Sequence, residues 1–182
     1  MRLTYLIGEP GVGKTTLLTA ITDGLPGLAV RRPFARTLYE CGVVELGEQH
    51  GVHGGTDKLS MSVQPKVIEW AETPDYQDIV AEGDRLSSDS FFQAMADLGY
   101  QLTVVHCHAP SAVAAERRLM RAAHHAIKPQ NPVWLKGRQT KVEKLAYKWK
   151  TVAIDTSQPI ELLLPIATQL PVLDKLWEAR NA

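Results

Sequence analysis

The densest chemistry in the 182-residue sequence lies near its start, in Gly8-Glu9-Pro10-Gly11-Val12-Gly13-Lys14-Thr15-Thr16. The spacing is G-x-x-x-x-G-K-[ST], whose glycines let successive backbone N–H groups turn inward and form a nest for an anion. A helix leaving such a turn adds its positive N-terminal end. Lys14 would then reach the β- and γ-phosphates of a nucleotide as a point charge, and the Thr15 hydroxyl would coordinate Mg²⁺. Gly8, Gly11, Val12, Gly13, Lys14, Thr15 and Thr16 are therefore the expected nucleotide-binding residues. The context agrees, because the apolar run from Leu3 to Ile7 enters the loop and a helical pattern with Leu17, Leu18 and Ile21 leaves it.

Phosphoryl chemistry also needs carboxylates at neighbouring strand ends. Ile79-Val80-Ala81-Glu82-Gly83-Asp84-Arg85 is an apolar strand that ends in them. Side chains two apart on a strand share a face, so Glu82 and Asp84 can both address the nucleotide. One would hold Mg²⁺ through water, and the other would accept a proton from an attacking hydroxyl. Glu82 joins Thr15 as the expected metal-site residue. Arg85 is placed to clamp an acceptor phosphate or carboxylate. Asp155, after Val152-Ala153-Ile154, is a rival strand-end acid.

Twenty Lys+Arg balance twenty Asp+Glu, yet residues 117–150 carry ten basic groups against one acidic group, Glu143. The balance of +9 there leaves ten basic and nineteen acidic residues, or −9, elsewhere. Such a concentration points to an anionic ligand, polyphosphate or nucleic acid, or else to solvated helices with one cationic face. Ten basic residues exceed what a lid over ATP phosphates needs, so Lys136, Arg138 and Lys141 are expected to track a DNA phosphate backbone. Trp134, between Pro129 and the following helix, could stack a base.

A hydrophobic content of 45% with 22% charged residues excludes a disordered tail, a collagen-like repeat and a coiled coil. No apolar run approaches membrane-spanning length, so no membrane partner is expected. The opening residues form too short an apolar stretch for a signal segment, and two cysteines make no disulfide framework. A single cytoplasmic domain over residues 1–182 is the expectation, with oligomeric state open. His50, His53, His106, Cys107 and His108 are metal-capable types without the spacing of a closed zinc site, and Cys107 reads as a small buried residue.

Short apolar runs alternating with helical patterns predict an α/β fold with a parallel sheet of about five strands flanked by helices. Strands are expected at 3–7, 78–82, 102–105 and 152–154, with 35–41 and 43–46 as candidate strand pieces around Gly42. Helices are expected at 14–23, 63–72, 91–98, 112–126 (capped by Ser111), 137–149, 160–168 and 173–179. Pro74 should close the second helix, and the glycine-rich segment 48–55 should be a loop.

On these residues the chain resembles the nucleotide-kinase branch of P-loop NTPases, which includes adenylate, thymidylate and deoxynucleoside kinases. The resemblance spans nearly the whole chain and implies a P-loop NTPase fold with a basic lid at about 117–150. In those families an acidic-plus-Arg motif follows the third strand, matched by Glu82 and Arg85. Their Arg-rich lid is matched by Arg117, Arg118, Arg121 and the basic stretch to Lys141. The loop after their last strand borders the adenine, which implies a nucleotide contact for Asp155-Thr156-Ser157-Gln158-Pro159. The acceptor signatures D-G-[FY]-P and D-R-[YH] are missing. Three blocks look more like a bacteriophage group of thymidylate-kinase-like proteins: Gly55-Thr56-Asp57-Lys58-Leu59-Ser60, Glu82-Gly83-Asp84-Arg85-Leu86, and Trp134 to Val142. That group is similar to kinases acting on hydroxymethyluracil in DNA, which makes Asp57 a candidate acceptor-site residue or base and, for a phage protein, places it in the host cytoplasm. The expected activity is ATP–Mg²⁺-dependent phosphoryl transfer to a nucleoside, nucleotide or nucleobase hydroxyl. The alternatives are an ATPase driving a partner, a free nucleotide kinase, or a non-enzymatic nucleotide-binding regulator. No N-K-x-D guanine motif supports GTP.

Overall fold

The apolar runs that end at Gly8 and Gly83 become adjacent buried strands. β1 (Arg2–Ile7) is buried from Leu3 onward, as a strand covered on both faces must be. The computed structural model describes residues 1–48, 54–73 and 76–182. His50, His53 and Pro74, and most of the glycine-rich segment around the two histidines, lie outside the described residues.

After β1 come α1 (Lys14–Thr22), β2 (Gly27–Val30), β3 (Arg36–Tyr39), β4 (Val43–Leu46) and a 3₁₀ turn, Gly55–Lys58. They are followed by α2 (Gln64–Glu72), β5 (Asp78–Glu82), α3 (Asp89–Asp97), β6 (Gln101–His108) and α4 (Ser111–His124). The chain ends with α5 (Pro132–Lys148), β7 (Val152–Asp155), α6 (Ile160–Ala167) and α7 (Leu173–Asn181). Among the described residues the strands form one sheet ordered β2-β3-β4-β5-β1-β6-β7. The run β4-β5-β1-β6-β7 is parallel, matching the expected five strands. β3 falls on the expected strand piece 35–41, whereas β2 was not expected; the two extend the sheet as an antiparallel hairpin at one edge.

Apolar layers cover both faces. Tyr5, Phe91, Phe92, Val67 and Leu145 pack on one side, with α2, α3 and α5. Leu6, Leu17, Ile21, Leu163 and Leu176 pack on the other, with α1, α6 and α7. Leu6 pairs with Glu82 of β5 and Val105 of β6, so β1 ends within one residue of the end of β5, while β6 runs two residues past the Ile7–His106 pair. From β1 the chain crosses to the far edge at β2, returns inward through β3 and β4 to β5 beside β1, and then passes to the other side as β6 and β7. A ligand crevice forms at the carboxyl ends of strands where the chain changes sides.

Several helix starts differ from expectation, and α5 and α4 show what capping does. α5 begins at Pro132, five residues before Gly137, because Asn131 caps it: the Asn131 side-chain oxygen accepts the N–H of Val133 at 2.8 Å. Proline is suited to the first helical position, since its missing N–H has no partner there anyway. Trp134 is thus in the first helical turn, not in a loop. Ser111 is the first residue of α4 and makes no side-chain cap, with Pro110 in the capping position. Among the described residues no helix is long and apolar enough to cross a membrane.

Candidate active site

The crevice holds a cavity of about 1160 Å³. One half is built by the loop between β1 and α1. Gly13, at φ 105°, precedes α1 without any side-chain cap, which leaves the first N–H groups of the helix free for an anion. Lys14 Nζ lies over the loop and donates to the carbonyls of Gly8 at 2.9 Å and Glu9 at 3.1 Å. Thr15 and Thr16 line the same wall. The Thr15 hydroxyl donates to Glu82 Oε1 at 2.8 Å, bringing the expected metal-site pair together.

The loop is gripped from outside. Arg117 on α4 donates to the carbonyls of Val12 and Thr156, both at 3.0 Å. Arg118 donates to the Pro10 carbonyl at 2.8 Å. The Thr156 hydroxyl lies 2.5 Å from the Val12 carbonyl and 2.8 Å from that of His108. Gly11, at φ 88°, has the backbone of α4 so close that a Cβ there would sit 2.6 Å from the Ala114 carbonyl. Arg117, expected as a nucleotide contact, lines the cavity but spends its guanidinium on holding the loop. Val12 keeps its side chain in the core, at 2% exposure, and offers only backbone.

Asp155 departs from expectation. Its carboxylate accepts from Ser157 N at 3.0 Å and Ser157 Oγ at 2.7 Å, closing a turn. Those bonds hold its carboxyl below the usual range. It does not line the cavity, whereas Thr156 and Gln158 of the same loop do.

Opposite the loop, Glu82 ends β5 with 2% exposure. Burial pushes its carboxyl upward against the Lys14 charge and the Thr15 hydrogen bond, and it ends above the usual range. Arg121 on α4 also faces the cavity and pulls in the same direction as Lys14. The 3₁₀ turn sits directly on Glu82. Gly55, at φ 60°, permits this contact, since a Cβ would lie 2.5 Å from the Glu82 carbonyl oxygen. The turn projects Asp57 into the cavity, where its Oδ1 accepts the backbone N–H of Asp84 at 2.6 Å.

Asp84 is not the free acid expected from its spacing. Lys141 donates to its Oδ1 at 2.7 Å, and Arg138 ion-pairs with its Oδ2. Burial pushes the Asp84 carboxyl up, but Lys141 and then Arg138 outweigh it and hold the group below the usual range. A carboxylate with two cations on it is a poor proton acceptor. Arg85 lines the cavity and contacts Met61 and the Asp57 carbonyl, with its Nε buried and without a hydrogen-bond partner.

The basic segment is therefore no separate arm. Arg117 and Arg118 hold the loop, Arg121, Arg138 and Lys141 face the cavity, and α5 is anchored in the core by Val142 and Leu145. Lys136 is exposed and outside the cavity lining, so it does not share a face with Arg138 and Lys141. The Arg138 guanidinium packs over the Trp134 ring, 5.4 Å from its centroid. Sequence reasoning missed the hydroxyl of Thr156, the grip of Arg118 and the cavity-lining Gln130, Asn131 and Met61.

A phosphate nest with Lys14, a Thr15–Glu82 pair and a cationic second half in one cleft define a P-loop kinase. Residues 1–165 match the family described as P-loop Nucleotide Kinase3, and the chain belongs to that family. No curated protein matches the sequence. The fold is also that of two solved kinases. One is a gluconokinase from Sinorhizobium meliloti 1021, at 19% identity and TM-score 0.52, covering 99% of this chain and 94% of that one. The other is an unliganded sugar kinase from Janibacter sp. HTCC2649, at 17% identity and TM-score 0.55, covering 98% of each chain.

Proposed function

We propose that this P-loop kinase transfers the γ-phosphoryl group of ATP to a hydroxyl on a nucleotide-type acceptor held by Asp57, Arg85, Arg138 and Lys141. The carrying observation is that these residues and the Lys14–Thr15–Glu82 group share one cavity of about 1160 Å³, room enough for a nucleotide and a second substrate. The residues present suit a Mg²⁺-nucleotide: free helix N–H groups for phosphate, a lysine, and a hydroxyl beside a buried carboxylate. Bound Mg²⁺ would neutralise charge on the β- and γ-phosphates, with Thr15 and Glu82 as the groups that hold it.

The chain's own part follows from the geometry. The nest and Lys14 orient the triphosphate and stabilise charge on the transferring group. Asp57, fixed by the Asp84 N–H and paired with no cation among the described residues, takes the proton of the acceptor hydroxyl. The acceptor oxygen bonds to the γ-phosphorus as the bridging bond to ADP breaks, and ADP leaves with that electron pair. Arg121, a cavity-lining cation, is the group we assign to the charge that accumulates on the transferring phosphoryl.

Hydroxymethyluracil in DNA is the specific acceptor we put forward. Its support is that the three phage-like blocks, far apart in sequence, supply Asp57, Glu82, Asp84, Arg85, Trp134, Arg138 and Lys141 to one cavity. The test is labelled phosphate transfer from γ-labelled ATP to hydroxymethyluracil DNA, to free nucleoside monophosphates and to gluconate. Transfer to DNA alone supports the full reading. Transfer to a free nucleotide keeps the kinase and removes DNA, and transfer to gluconate alone removes the nucleotide-type acceptor. Absence of transfer to any hydroxyl would sink the reading in favour of an ATPase.

A further inference from the structure

We infer that Tyr5, a strand residue before the phosphate loop, is a positioning residue for the acceptor half of the site; this rests on the reading of Asp57 given above. Tyr5 lies on β1 with no exposed surface, its ring in edge contact with Phe92 at 5.2 Å and Phe91 at 6.2 Å between centroids. Packing alone would be served by Phe. The hydroxyl, however, donates to the Gly83 carbonyl at 3.1 Å and lies 3.0 Å from the Thr56 hydroxyl, which is itself fully buried.

Those two partners are the residues immediately before Asp84 and Asp57. Asp57 in turn accepts the Asp84 N–H at 2.6 Å. The contacts therefore close a ring: Tyr5 to Thr56, along the chain to Asp57, across to Asp84, back along the chain to Gly83, and again to Tyr5. The ring ties the 3₁₀ turn to the end of β5 through a residue of the central strand. It also sets where the Asp57 carboxylate stands relative to the phosphate loop, which begins three residues after Tyr5. Burial holds the phenol protonated, far above its ordinary range, so it remains a donor at all working pH values.

Without the hydroxyl, Thr56 Oγ1 and the Gly83 carbonyl lose a partner inside the protein, and the turn that carries Asp57 is free to shift. Even a small displacement of a catalytic group has large kinetic consequences. Nucleotide binding should not feel it, because the nest and Lys14 take no bond from Tyr5.

The variant is Tyr5→Phe, with Tyr100→Phe as control, since the buried Tyr100 hydroxyl has no hydrogen-bond partner in the structure. The first measurement is amide hydrogen exchange at Asp84, which needs no substrate. Protection should fall roughly tenfold in Tyr5→Phe, the scale of one lost hydrogen bond, and stay unchanged in Tyr100→Phe. Thr56→Val should reproduce the loss and Thr56→Ser should not. The second measurement is kcat for transfer to the acceptor found above, expected to fall about tenfold with the directly titrated ATP affinity within twofold of wild type. In an Asp57→Asn background, Tyr5→Phe should cost nothing further. Unchanged Asp84 protection, or a full kcat loss that persists without Asp57, overturns the inference. If the wild type transfers phosphate to no acceptor, the functional reading fails, and amide exchange still decides whether Tyr5 positions the turn.

Discussion

Replacing Glu82 by Gln keeps the side-chain volume and an oxygen to accept the Thr15 hydroxyl, now received by Oε1 at 2.8 Å. It removes one negative charge from a residue that is 2% exposed. Burial is the largest influence on that carboxyl and raises its pKa against Lys14 and Thr15. An acid whose folded pKa lies above its unfolded value adds stability at low pH, and that stability is lost as pH rises through the folded pKa. Above its folded pKa the ionised group therefore works against the fold, and Gln relieves it. A gain of about 1 kcal/mol, ordinary for relaxing a functional site, raises Tm by about 2–4 °C in a chain of this size. The same change deletes the charge set against the metal-nucleotide, and kcat should drop by about 10²-fold or more. Calorimetry and labelled transfer on one preparation read both effects. The Tm gain should vanish below about pH 4, where the wild-type carboxyl is protonated as well. A lower Tm combined with wild-type turnover would refute the reasoning.

Lys14→Ala should reduce transfer at least about 10²-fold while circular dichroism stays that of the wild type, and near-normal turnover would remove the loop assignment. Asp57→Asn should lose about 10²-fold or more in kcat, whereas Asp155→Asn should stay within about twofold, because Asp155 only closes its own turn. Asp78, held at about 2 by Arg2 first and also by Lys175, should supply about 1 kcal/mol once solvent screening of the partly exposed Arg2 and Lys175 is allowed for, fully present above about pH 5. That contribution is lost as pH falls toward 2, so Asp78→Asn should flatten the acid limb of a Tm–pH curve, and an unchanged limb counts against the clasp.

What was legible in sequence was what is local. The nest is nine consecutive residues, and its strand and helix flank it directly. The Gly55–Ser60 block marked Asp57 although nothing in its own spacing says which strand end it meets. Glu82 and Asp84 look equivalent as i and i+2 acids, and only α5, more than fifty residues away, separates them by placing Arg138 and Lys141 on Asp84 alone. Pro132 by itself reads equally as the end of a loop or the start of a helix, because proline ends helices as well as starting them; Asn131 decides between the two. β2 is four residues long and mostly exposed, so it carries no buried apolar signature. Tyr5 was illegible for the opposite reason, since an aromatic in an apolar strand reads as core and its hydroxyl partners lie 51 and 78 residues away.

The grip of Arg117, Arg118 and Thr156 on the loop carbonyls bears on the kinetics of nucleotide capture. A glycine-rich loop left to itself samples many shapes, and ordering it around phosphate would subtract conformational entropy from the affinity. Here the carbonyls are already fastened outward by α4 and the segment after β7. The entropy loss is thus taken during folding, and the nucleotide meets a preorganised cradle. Association should then be a single second-order step whose rate rises linearly with nucleotide concentration, without the plateau that a slow loop rearrangement would impose.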